Sequence, residues 1–279
     1  MISRRNSMKK NKLIFLGASI LLILAVVSFI GPLFINQDIS SVDLFNISAS
    51  PNSEHLLGTD ELGRDVLIRL LHGGRVSLMV GIFATIIQVT IGVILGLAAG
   101  YFGGVVDSII MRIVDIIMCF PFFIVAIALA AVVGPSVTNL IIIIAILSWT
   151  DIARIVRAEV MSIKERDFIM ASKAIGFNNI EIIIKHIIPN LMSSILVAMT
   201  LAMANAILME AALSFLGMGV KPPMPSWGNM LTAAQNMRTL RSEWWLWIPP
   251  GVMIIISVLA INFLGEGLKK KLDPEYKEG

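Results

Sequence analysis

The sequence predicts an all-α membrane protein of six transmembrane helices with both termini cytoplasmic. Three observations predict it. The 279 residues are 57% hydrophobic and 15% charged, where soluble domains carry roughly 25% charged residues, and the mean hydropathy is +0.86. Six uncharged stretches, at 13–35, 76–106, 116–133, 136–150, 191–209 and 244–265, match or approach the ~20 residues that cross a hydrocarbon core. Lys and Arg divide sixteen to six between alternate connections, with the larger share on the side of both ends, which marks that side as the cytoplasm.

The elements follow in order. Residues 1–12 are a basic segment with Arg4, Arg5, Lys9, Lys10 and Lys12. Residues 13–35 exceed the ~7–15 residue core of a signal peptide, and no small-x-small cleavage pattern follows, so they read as a retained anchor. Residues 36–75 form an extracytoplasmic segment. It is acidic at first (Asp38, Asp43, Glu54, Asp60, Glu61) and closes on the amphipathic-looking run LGRDVLIRLLHGGRVSL. The second span covers 76–101. Its Gly92, Gly96 and Gly100 recur every four residues, a stripe that lets another helix approach closely, either inside one subunit or between subunits.

YFGG at 101–104 reads as a tight cytoplasmic turn, and the third span, 108–133, is broken by Pro121. The fourth covers 137–156. Arg112 with Asp115, and Asp151 with Arg154, lie three residues apart. That spacing predicts ion pairs on single helix faces near the inner interface. In the fifth span, 191–217, Glu210 follows 19 uncharged residues. It has two readings: a group facing an aqueous pathway, or a bond to a neighbouring helix. In the outer loop that follows, Pro222, Pro223 and Pro225 exclude helix, and Ser226 is placed to cap a short helix running through 229–237. Trp244, Trp245 and Trp247 open the sixth span, 244–265, as an aromatic belt. Residues 269–279 are a basic cytoplasmic tail.

The segment 157–190 is too polar for lipid and too regularly apolar for an idle loop. Val160, Ile163, Met170 and Ala174 fall near helical period. Gly176 suits a left-handed helix end. Asn178 reads as an N-cap, with Glu181 three residues on completing a capping-box pattern. Glu181 and Lys185 are a well-oriented i,i+4 pair, and Pro189 fits the first turn of the next span. Helix, glycine turn and helix at the cytoplasmic surface make a docking surface the favoured reading, since ordered connections of this length are seldom idle.

The sequence contains no G-x-x-x-x-G-K-[ST], so the chain does not cradle ATP by itself. Neither G-x-S-x-G nor H-E-x-x-H occurs. One Cys and three scattered His make neither a disulfide framework nor a metal site. These observations point away from a membrane enzyme, and no feature points to nucleic acid.

Ala171, Gly176 and Pro189, in HIIPN at 186–190, resemble the cytoplasmic EAA loop of ABC importer permeases. Met170 takes the place of that motif's Glu, Ser172 of its second Ala, His186 of its Ile and Ile188 of its Leu. LLGTDELGRDVLIRLLHGGRVSLMVG (56–81) and EAALSFLGMGVKPPMPSWGNML (210–231) are similar to segments of the dipeptide/oligopeptide/nickel permeases. The three occur in the same order as in the second permease subunit, the DppC/OppC type, and the resemblance covers about residues 13–275.

The resemblance implies a type I ABC importer permease fold, with a permease core over 76–268. It implies a homologous second permease (DppB/OppB type), two ABC ATPase subunits that use ATP and Mg, an extracytoplasmic substrate-binding protein, and no cofactor bound directly by this chain. It places the chain, with surrounding lipid, in the cell membrane. It implies that Met170, Ala171, Ser172, Gly176, Phe177, Glu181, Lys185 and Pro189 form the ATPase-coupling surface. Di- or oligopeptides are the expected cargo, and nickel or a nickel chelate is the alternative in the same family. A sensor or assembly protein that docks through the inner loop is the competing class.

Overall fold

The computed structural model describes residues 2–35 and 39–272. The last part of the tail assigned to 269–279, and the side chains of the basic residues before Lys12, lie outside the described residues. Among the described residues five helices are long and apolar enough to cross a membrane, and there are six if one bent pair of helices is counted as a single span. Helix α1 (Ile2–Ile30) ends in a 3₁₀ turn, Gly31–Phe34.

Helix α2 (Val66–Phe102) begins well before the expected start at residue 76. Asp65 caps it, its carboxylate accepting from the Ile68 N–H at 3.0 Å. The run that looks amphipathic in sequence is therefore the first turns of a 37-residue helix. Its charges are held by the fold. Arg69 pairs with Asp60 at 3.3 Å, and Arg75 donates to the Phe29 carbonyl at 3.1 Å.

The third span is two helices, α3 (Gly104–Met118) and α4 (Phe122–Val133), bent by 84°. Pro121 sits between them in an extended conformation, without an N–H to continue the ladder and with its ring restricting the residue before it. Helix α5 (Val137–Lys164) runs eight residues past the expected end at 156. That extension moves Asp151 from the expected inner end to the middle of the helix. The within-helix ion pairs do not form. Arg154 reaches across to Asp115 on α3 at 2.5 Å, and Arg157 grips Asp107 with two bonds of 2.5 and 2.6 Å.

Helices α6 (Asp167–Ala174) and α7 (Asn179–Ile182) precede a π-helical turn, Ile183–Ile187, which leads into α8 (Ile188–Phe215). After α8 come α9 (Trp227–Met230), a 3₁₀ turn over Leu231–Gln235, and α10 (Met237–Ser242). Ser226 does cap α9, but the single helix expected through 229–237 is split in two, with Asn236 capping the second. Helix α11 (Ile248–Leu272) follows a 3₁₀ turn at Trp244–Leu246. Of the expected aromatic belt only Trp244 is exposed. Trp245 is buried and donates to the Thr59 carbonyl at 3.3 Å.

The longest interface joins α2 to α5, and the glycine stripe explains it. A Cβ on Gly92 would lie 2.8 Å from the Trp149 carbonyl, on Gly96 2.7 Å from the Ala153 carbonyl, and on Gly100 2.8 Å from the Arg157 carbonyl. Backbone therefore meets backbone along more than two helical turns, within one chain. Helix α8 packs across α2 and α11, and α1 runs alongside α11. Replacing Gly96 with Leu would force α5 away from α2, an overpacking that costs ~1–3 kcal/mol or more. We expect Gly96→Leu to lower the yield of folded protein in detergent and its unfolding midpoint. Size-exclusion chromatography and thermal unfolding check this; wild-type values would contradict the packing.

Candidate functional site

The polar segment between α5 and α8 folds as an ordered unit at one end of the bundle. Its central feature is the end of α6. Gly176 has φ = +97°, and the N–H of Phe177 donates to the Ser172 carbonyl at 3.1 Å while that of Gly176 donates to the Lys173 carbonyl at 3.0 Å. This pair of bonds is a Schellman cap, which requires a left-handed residue. A Cβ on Gly176 would meet nothing within 4 Å, so the backbone conformation, and not crowding, selects glycine there.

Two residues on, Asn178 accepts from the Glu181 N–H at 2.9 Å and the Glu181 carboxylate accepts from the Asn178 N–H at 3.2 Å, closing a capping box. Lys185 pairs with Glu181 at 3.5 Å and sits 5.4 Å from the Phe177 ring centre. The π turn ends with the Ile188 N–H bonded to the Ile183 carbonyl. Pro189 then falls in the first turn of α8, where its missing N–H is tolerated.

Buried apolar side chains anchor this unit. Ile169, Ile182, Ile187 and Leu191 form one cluster with Tyr101 of α2 and with Val156, Val160 and Ile163 of α5. Tyr101 is the clasp. Its hydroxyl donates to Asn179 at 2.9 Å, and its carbonyl accepts from Lys164 at 2.6 Å. His186 fills the space between Phe168 and Phe177, with ring centres 6.3 and 5.9 Å away. Sequence reasoning missed Tyr101 as part of this unit, since it lies 78 residues before Asn179 and no local signal marks it.

The expected coupling residues do not all face the same way. Met170, Ala171 and Gly176 are exposed. Ile175, Ile180 and Ile184 are exposed as well, and Met170 and Ile175 are 54% and 77% exposed. Ser172 points inward instead. It is buried, and its hydroxyl donates to the Phe168 carbonyl at 2.7 Å. Phe177, Glu181 and Lys185 brace the turn, and Pro189 lies on exposed helix.

Glu210 lies elsewhere, at the opposite end of α8, and is 0% exposed. The hydroxyls of Ser77 on α2 and Ser214 donate to its two oxygens at 2.8 and 2.7 Å. Ser77 in turn accepts from the Trp227 N–H at 3.1 Å, and the Trp227 indole donates to the Leu70 carbonyl at 3.0 Å. The carboxylate therefore locks α2, α8 and the loop bearing α9 together. Of its two readings, the geometry matches the bond to a neighbouring helix.

Several helical spans and a long ordered connection at one end define a multi-pass membrane protein. Residues 92–278 match the family model of the binding-protein-dependent transport system inner membrane component. The chain is 42% identical to the dipeptide transport system permease protein DppC of Alkalihalophilus pseudofirmus, over 97% of this chain and 88% of that protein. It is 41% identical to the DppC of Bacillus subtilis, over 97% and 84%, and 37% identical to the oligopeptide transport system permease protein OppC of Bacillus subtilis, over 97% and 88%. The chain belongs to the family of binding-protein-dependent transport system inner membrane components, and its helical architecture is the type I ABC importer permease fold.

Removing the Glu210 carboxylate strands two buried hydroxyls, and each unsatisfied buried polar group costs ~1–3 kcal/mol. We expect Glu210→Ala to lower the thermal unfolding midpoint in detergent by several degrees, and Glu210→Gln, which keeps one acceptor, to lower it less. Unchanged midpoints in both would show that the carboxylate is not a structural lock.

Proposed function

We propose that this chain is the second permease subunit of an ATP-driven importer of di- or oligopeptides. In that assembly it pairs with a homologous permease of the DppB/OppB type, two ABC ATPases and an extracytoplasmic binding protein. The observation that carries the reading is the helix–glycine–helix unit with its exposed apolar residues Met170, Ile175, Ile180 and Ile184. A braced unit that leaves isoleucines in the open is built to be covered, and patches of this kind mark interaction sites. The excess of Lys and Arg on this side supports a cytoplasmic position, where an ATPase would cover it. The names of the relatives, dipeptide and oligopeptide permeases, support peptides as cargo.

The mechanism follows from rigidity. ATP closes the ATPase pair, and the docked α6 moves with it. Tyr101 and the buried isoleucines transmit that motion into α2, α5 and α8, because a close-packed cluster moves as a body. The spans then tip between inward- and outward-facing arrangements, driven by the difference in contacts between the two states. ATP and Mg act on the partner ATPases, and this chain supplies the lever and half of the path.

In proteoliposomes holding the full complex, we expect ATP-dependent uptake of a labelled dipeptide and none of a nickel chelate; the reverse would reassign the cargo. Proline demands φ near −65° where Gly176 holds +97°, so Gly176→Pro re-aims α6. We expect it to lower uptake about ten-fold or more while ATP hydrolysis continues. An unchanged ratio of uptake to hydrolysis would remove the docking role.

A further inference from the structure

Asp151 stands out once the helices are placed. It lies in the middle of α5, about 20 Å from the Lys164 end at ~1.5 Å per residue. Its neighbour Ile152 packs on Gly92 of α2, inside the long uncharged run of that helix. Yet Asp151 is exposed on the surface of the chain. Among the described residues its carboxylate has no hydrogen-bond or ion-pair partner, since Arg154 is taken by Asp115. An ionisable group at this depth faces an aqueous cavity or a partner, because lipid contact is strongly unfavourable.

The surface around it is a cleft. Asp151 and Ser148 line two adjoining cavities, one of about 220 Å³ between α2, α5 and α8 and one of about 190 Å³ between α3, α4, α5 and α8. Gln88 of α2, Asn205 of α8 and the Met209 side chain join them in the larger one. The cleft thus offers one carboxylate, two amide side chains and the hydroxyls of Ser148 and Thr150 against an otherwise apolar wall. Among the described residues the carboxylate is the one charge in its lining. Three hydrogen-bond donors on one compact positive charge describe a primary ammonium, and the acceptors here surround a place for one.

We propose that Asp151, with Gln88 and Asn205, forms a mid-membrane subsite for the amino-terminal ammonium group of a peptide in transit. The inference rests on the peptide-import reading. It adds to that reading a charge-recognising step common to peptides of any side-chain sequence. A free amino terminus is the one cation that such substrates share, so a single carboxylate serves all of them while the apolar wall accepts varied side chains.

The test keeps Asp151 in place and reports from the next turn. In the full transporter carrying Cys119→Ser and Ser148→Cys, the rate at which a small thiol reagent modifies the introduced thiol is measured with millimolar dipeptide, and with its N-acetylated form. The free-amine peptide is expected to slow labelling about ten-fold and the acetylated peptide not at all. Adding Asp151→Asn should abolish the protection. In the otherwise unaltered transporter, Asp151→Asn should lower dipeptide uptake about ten-fold and Asp151→Glu should restore most of it. Equal protection by the two peptides, or by neither, overturns the subsite. So does an Asp151→Asn complex that no longer co-purifies with its second permease, because the carboxylate would then be paired across the subunit interface. Peptide uptake by the wild-type complex leaves the import reading standing in each of these cases, and its absence tells against that reading separately.

Discussion

The backbone contact between α2 and α5 is the constraint on which the other features depend. Three glycines spaced four apart put no α2 side chain into the seam, so the carbonyls of Trp149, Ala153 and Arg157 and the side chains of Ile152, Val156 and Val160 lie directly on the α2 surface. Close approach of this kind gives up hydrophobic area in exchange for dispersion contacts along the whole seam. It also sets the register. With Gly92 against Ile152 and Gly100 against Val160, Tyr101 arrives beside Lys164 and Asn179 at one end, and the cleft around Asp151 opens on the flank.

Two polar devices hold the ends of this seam. At one end the Arg157–Asp107 pair and the Tyr101 clasp tie α3 and the α6–α7 unit to the helices. At the other, Glu210 joins Ser77, Ser214 and, through Ser77, the backbone of Trp227. Each group is satisfied by partners from distant parts of the chain, as buried polar groups must be. Between the two ends the bundle is almost wholly apolar, and there Asp151 is a charge without a partner among the described residues. Charge is thus paired where helices must be fixed and left free in the proposed subsite.

The α6–α7 unit shows how a short segment resists melting without length. Eight residues make a helix too short to persist alone. A Schellman cap on one side, a capping box on the other and four buried anchors replace the missing length. The exposed isoleucines are what that arrangement leaves over, since the buried ones already satisfy the unit's own stability. Met170, standing where the related motif has a carboxylate, makes this surface more apolar still.

Local patterns determined much of this protein. Span count, the left-handed glycine at 176, the capping box at 178–181, the Ser226 cap and the close approach at 92, 96 and 100 were all legible, because each depends on residues within a turn or two of one another. Tertiary structure decided the rest. The starting point of α2 depended on partners for Arg69 and Arg75 that sequence does not display. The ion pairs moved from within helices to between them because an interhelical carboxylate was nearer than the one three residues away. Ser172 turned inward, and Tyr101 joined a unit far along the chain. Asp151 changed from an interface charge to a mid-span group once α5 was seen to continue past residue 156. The physical reason is common to all of these. The setting of a polar group, unlike helical propensity, is decided by what the packed chain brings within hydrogen-bond reach of it.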